Sequence, residues 1–144
     1  MRWILLPFVF FAAMPAHAAD SAAELAAQLP RAYSGSFRWH ASSELQIVTM
    51  AFDAVTERDA ETVEALGSGV YDVSCTITNI KVRLEIRLPK LFVELWESGA
   101  ENSDTFTTDG SHVGRLSPDL KRIDAIWTTA KDGQTGTLSL TARP

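Results

Sequence analysis

Ile80-Lys81-Val82-Arg83-Leu84-Glu85-Ile86-Arg87-Leu88 is the stretch on which the fold turns. Ile80, Val82, Leu84, Ile86 and Leu88 alternate with Lys81, Arg83, Glu85 and Arg87 without a break. A period of two sends successive side chains to opposite faces, so the stretch reads as a strand with one buried and one charged face. Glu85 interrupts the basic stripe of Lys81, Arg83 and Arg87, and a half-exposed strand face accounts for these charges without a partner.

The same period extends in both directions. Downstream, Pro89-Lys90 turns the chain, and Leu91, Val93 and Leu95 alternate with Phe92, Glu94 and Trp96. Upstream, residues 62–74 read as a long strand interrupted by Gly67-Ser68-Gly69, and glycines inside a strand pattern mark a bulge or sharp bend. Glu57-Arg58-Asp59-Ala60 is a polar turn. Residues 44–55 are apolar on both parities (Leu45 and Ile47 against Val48, Met50 and Phe52), which predicts a strand with both faces at least partly covered. Residues 34–40 carry Phe37 and Trp39 on one parity. Before them, Ser21-Ala22-Ala23-Glu24 has the form of a helix capping box. Ala22, Leu25, Ala26 and Leu29 share one face of that helix, and Pro30 stops it.

Toward the C-terminus, Asp109-Gly110 is a favoured pair for a two-residue hairpin. It predicts pairing of Thr108 with Ser111, Phe106 with Val113 and Asp104 with Arg115. Ser117-Pro118-Asp119 and Lys131-Asp132-Gly133 are further turns. Ile123, Ala125 and Trp127 line one face of the strand between them, and Leu138 and Leu140 close the last strand. The sum is an all-β chain of eight or nine antiparallel strands after a short N-terminal helix, with no helical segment to cross over between parallel strands. An up-and-down barrel is expected, with a β-sandwich as the alternative, because hairpin turns suit up-and-down order and closure removes exposed edges.

The chain has 144 residues, 46 % hydrophobic and 22 % charged, with a formal net charge of −5. That bounds it to one domain and excludes a disordered tail. The acidic balance argues against nucleic-acid binding, which needs a basic footprint. Residues 1–18 read as a signal peptide: Arg2, an apolar run over 3–14, then Ala16-His17-Ala18 in the small-x-small form of a cleavage site. The run is too short to span a bilayer, so no stable membrane anchor is expected. Removing it takes one cation and no acid, leaving a single domain over 19–144 with a charge of −6, in the periplasm or secreted. Cys75 is the one cysteine, so the chain is disulfide-free within itself. Its alternation with Val73 and Ile77 predicts a buried inert thiol, with an intermolecular bridge as the alternative.

Three features resemble the calycin-type barrels of lipocalins and avidins. A helix leads into Tyr33-Ser34-Gly35-Ser36-Phe37, which resembles the G-x-W of a first barrel strand. The chain then meanders through hairpins. It ends in Gly114…Asp119…Ile123…Trp127…Gly133…Gly136…Leu138…Leu140, similar to the two-strand close of small secreted barrels. Phe37 stands where the lipocalin tryptophan would, and the T-D-Y type turn is absent. The resemblance implies the architecture and a small ligand, and it transfers no site residue.

No catalytic constellation emerges. Gly67-Ser68-Gly69 lacks the strand–elbow–helix setting of a nucleophilic serine. Ser111, His112 and Asp104 or Asp109 are neighbours on one hairpin, a poor setting for a triad, and His112 reads as a surface hairpin histidine. Glu94 and Glu97 point to opposite faces. One cysteine and two mature histidines make no metal site, and no cofactor is implied. The remaining candidates are aromatic. Trp39, Tyr71, Trp96 and Trp127, with Phe52 and Phe92, could line or fill a barrel. An aromatic beside a polar group at the mouth marks a ligand site, which puts Trp96 with Glu94 first and Trp127 second. The expected function is an exported, non-enzymatic small-ligand-binding barrel for an apolar or aromatic ligand. The alternatives are an interaction or inhibitor module that meets an envelope protein through the 98–103 loop or a strand edge, and an enzyme using Glu94, Glu97, Asp104 or His112.

Overall fold

A computed structural model describes residues 19–101 and 106–144; the expected signal peptide and Asp104 lie outside the described residues. Helix α1 (Ala22–Gln28) precedes β1 (Ala32–Trp39), β2 (Leu45–Asp59), β3 (Thr62–Val73), β4 (Thr76–Arg87), β5 (Phe92–Ser98), β6 (Ser111–Leu116), β7 (Arg122–Thr128) and β8 (Thr135–Ala142). The eight strands pair in sequence order, all antiparallel, and β8 returns to β1 to close the barrel. Closure, with Tyr33 opposite Ala142 and Trp39 opposite Gly136, decides against the sandwich and fits a calycin-like architecture.

The alternation in 80–88 is the wall of this barrel. Ile80, Val82, Leu84 and Ile86 are buried inside. Glu85 is buried as well, at 8 % exposure, although its parity faces outward. Arg58 at 2.8 Å and Arg87 at 2.6 Å bracket its carboxylate, and their side chains cover it. Arg83 lies 4.0 Å over the Trp96 ring on the same outer surface.

α1 covers the end where β1 begins. Its cap forms as read, with the Glu24 amide donating to Ser21 Oγ at 3.1 Å. The Glu24 carboxylate reaches one residue further back than a capping box requires, accepting from the Asp20 amide at 3.0 Å. Ala22, Leu25 and Leu29 are buried, and the helix packs on β2 and β3. At the same end the Tyr33 hydroxyl donates to the Leu120 carbonyl at 2.8 Å, so a buried phenol oxygen finds its partner in the 117–121 turn.

The glycine-marked irregularity in β3 is a bulge whose extra residue lies in β2. Register shifts between Phe52 and Ala54, opposite Gly67 and Leu66. A Cβ on Gly67 would stand 1.9 Å from the Ala51 carbonyl oxygen, so the backbones approach there as only glycine permits.

Three expectations are corrected. β2 is not covered on both faces: Val48, Met50 and Phe52 are buried, whereas Leu45 and Ile47 are 45 % and 50 % exposed. The Asp109-Gly110 hairpin does not form. β6 begins at Ser111 and pairs back to β5, with His112 opposite Leu95 and Val113 opposite Glu94, because long-range pairing in the barrel outweighs a local turn preference. Cys75 is exposed. It occupies the two-residue β3–β4 turn with Ser74, both in the left-handed region at φ 69° and 49°. A turn that reverses the chain ends the alternation on which a buried thiol was inferred.

Candidate functional site

The inward positions change chemistry along the barrel axis. Near α1 they are apolar, with Val63, Ala65, Ile86 and Leu140 packed beside the rings of Tyr33 and Phe52. Toward the opposite end, the inward phase of β4 runs from Ile80 to Thr78, that of β5 from Val93 and Leu95 to Glu97, and that of β2 from Met50 and Val48 to Gln46. β6 brings in His112 and β7 brings in Trp127, in phase with Leu116 and with Ile123 and Ala125. Gln46, Thr78, Glu97, His112 and Trp127 line a cavity of about 300 Å³ at the end carrying the 40–44, 74–75 and 129–134 connections. Phe37, Trp39, Tyr71, Phe106 and Trp127 supply its rings. Trp39 and Phe106 also line a second cavity of about 320 Å³, with Asp109 and Lys131 on its wall.

The core of the site is one carboxylate oxygen with two partners. The Tyr71 hydroxyl donates to Glu97 Oε1 at 2.5 Å, and His112 Nε2 lies 3.0 Å from the same oxygen. Glu97 is 6 % exposed, Tyr71 1 % and His112 1 %. Burial holds the Tyr71 phenol well above its ordinary pKa, and the Glu97 charge and hydrogen bond push it further, so the shared proton stays on Tyr71. A carboxylate oxygen only accepts, so His112 presents Nε2–H to it and is left with Nδ1 as its second polar atom.

Aromatic contacts hold this cluster in place. The His112 ring lies 4.8 Å from Trp127 and 5.7 Å, edge-on, from Phe37. Phe37 in turn meets Trp39 at 5.0 Å, and Tyr71 meets Phe106 at 4.9 Å. His112 Nδ1 and Trp127 Nε1 are buried without a hydrogen-bond partner among the described residues. Unpaired buried polar atoms cost about 1–3 kcal/mol each, and both belong to side chains that line the cavity.

Of the residues expected from sequence, Trp39, Tyr71 and Trp127 come together on the cavity wall. Glu94 and Trp96 do not. They stand on the outer face of β5, where Glu94 accepts from Ser111 Oγ at 3.2 Å and Trp96 meets Arg83. β5 buries Val93, Leu95 and Glu97 instead, and alternation then forces Glu94 and Trp96 outward. His112 is corrected from surface to core, because the hairpin that would have exposed it is absent. Ser111 and His112 consequently face opposite sides of the wall, which separates the triad candidates. Sequence reasoning missed Glu97 as a wall residue, although its phase with Val93 and Leu95 was visible. Among the described residues no cluster of His, Cys, Asp and Glu could hold a metal ion.

Fold and site together define a closed antiparallel barrel with a half-polar, half-aromatic cup at one end. The chain matches no protein-family model and no curated protein.

Proposed function

We propose that this chain is an exported, non-enzymatic binding protein that holds one small, partly apolar ligand in the open end of its barrel. The observation that carries the reading is the coincidence of a 300 Å³ cavity with a buried Tyr71–Glu97–His112 cluster. A barrel built only for stability would fill this end with side chains, as it does near α1. Ligand sites combine apolar walls with a few convergent polar groups, and that is the composition of this end. Export rests on residues 1–18, which have the charge, length and cleavage pattern of a signal peptide.

The test is tryptophan emission and thermal melting of the purified domain against envelope metabolites and lipids. Trp39 and Trp127 line the cavity, so an occupant changes emission and, by binding only the folded state, raises Tm. The expected result is at least one compound that does both, with the emission change lost in Trp127→Phe. An extract that leaves both signals unmoved overturns the reading. Mass determination of the chain recovered from the cell envelope tests export separately: it is expected to begin at Ala19, and an intact Met1 terminus overturns that part.

A further inference from the structure

The charges on the cavity wall are one-sided. Among the described residues Glu44 and Glu97 line it, and no lysine or arginine does. His112 is the one basic side chain on the wall among the described residues, and it shares Glu97 Oε1 with Tyr71. Even counted as imidazolium, it balances one of the two carboxylates. Arg38, between the cavity-lining Phe37 and Trp39, is exposed on the outer face, Arg83 stands outside against Glu64 at 3.6 Å, and Arg58 and Arg87 are spent on Glu85. A ligand carboxylate or phosphate entering the cup would meet Glu97 at short range in a poorly solvated site, where like charges repel most strongly.

The apolar part of the wall favours the opposite sign. Among the described residues five of its side chains are Phe, Tyr or Trp, and aromatic rings attract a desolvated cation through their quadrupole. Aliphatic side chains would bury apolar surface equally well without that selectivity. The volume equals about ten waters' share of liquid, enough for a single ring or short chain carrying one charged group.

We propose that the ligand is a small organic cation, an amine or ammonium on an apolar or aromatic body, seated with its charge toward Glu97 and its body among the rings of Phe37, Tyr71 and Trp127. The proposal rests on the reading that this cavity binds a ligand, and names the class that its wall selects.

Three probes of matched size separate the two claims: 2-phenylethylamine, 2-phenylethanol and 3-phenylpropanoate, titrated calorimetrically at neutral pH into the unaltered domain. The amine is expected to bind at least tenfold more tightly than the alcohol, with the carboxylate undetectable. Glu97→Gln is expected to erase the preference for the amine while leaving the alcohol's affinity within twofold. Glu44→Gln, at an exposed position, gives a smaller loss in the same direction and serves if the buried variant does not fold. If the alcohol or the carboxylate binds as tightly as the amine, the cation proposal fails while the binding reading stands. If none of the three binds at millimolar concentration, both fail.

Discussion

Tyr71 on β3 and Glu97 on β5 never pair through their backbones, because β4 runs between them, yet the Tyr71 hydroxyl donates to Glu97 Oε1 at 2.5 Å inside the barrel. The contact joins residues 26 apart in sequence. With His112 as third member, it ties β3, β5 and β6 together at the end that α1 does not cover.

The strength of this coupling can be measured by a double-mutant cycle in urea unfolding. Glu97→Leu leaves the Tyr71 hydroxyl and His112 Nε2–H buried without an acceptor, and should cost about 2–5 kcal/mol. Tyr71→Phe removes one donor and should cost about 1–3 kcal/mol. The double variant should be less destabilised than the sum by about 1 kcal/mol or more, because the phenol is no longer stranded. Strict additivity would mean that the two side chains do not cooperate.

Alkaline titration reports on both tyrosines of the domain. Tyr33 is raised by burial and then by the charge of Asp119, and Tyr71 by burial and then by Glu97. The folded state therefore holds both phenolic protons above pH 10, where the unfolded chain has begun to release them. Their contribution to stability is complete below pH 10 and is lost as pH rises beyond it. Tyrosinate absorbance should appear together with loss of the far-ultraviolet β signal. Ionisation near pH 10 with the barrel intact would contradict the buried placement.

Cys75 should react in the native state. Its place in the exposed β3–β4 turn predicts that an aromatic disulfide reagent labels one thiol per chain without denaturant, leaving the β signal unchanged. A thiol that reacts only after unfolding would restore the expectation drawn from alternation.

Gly136 seats the Phe37 ring. A Cβ there would lie 2.3 Å from Phe37 Cζ and 2.8 Å from the Arg38 carbonyl oxygen. Gly136→Ala should displace the ring and cost about 1–3 kcal/mol by overpacking. Because Phe37 touches His112 and Trp39, the near-ultraviolet circular dichroism of the tryptophans should change as well. An unchanged spectrum and stability would show that the ring tolerates the intrusion.

Much of the barrel was legible before any coordinates. Residues 80–88 set a strand, the glycines of β3 marked the bulge, and Ser21 with Glu24 marked the helix start. These signals are local: alternation, capping and backbone freedom act over a few residues. The expectations that failed were also local ones, placed where a distant partner decided. Asp109-Gly110 favours a hairpin in isolation, yet Ser111–Leu116 pairs with β5 and β7. Val73, Cys75 and Ile77 share a parity, yet a turn intervenes at Ser74 and Cys75.

The same division holds for the site. Alternation alone determined that Glu94 and Trp96 share one face of β5 and Glu97 the other. The phase of Glu97 with Val93 and Leu95 pointed it inward, but alternation could not show which side chains from other strands it would meet there. Closure of β8 onto β1 decided that. It fixed one interior for all eight strands, drew Tyr71, Glu97, His112 and Trp127 into it from four of them, and left Glu94 with the arginines outside. A period of two is a property of the chain, whereas inside and outside exist only once the sheet has closed.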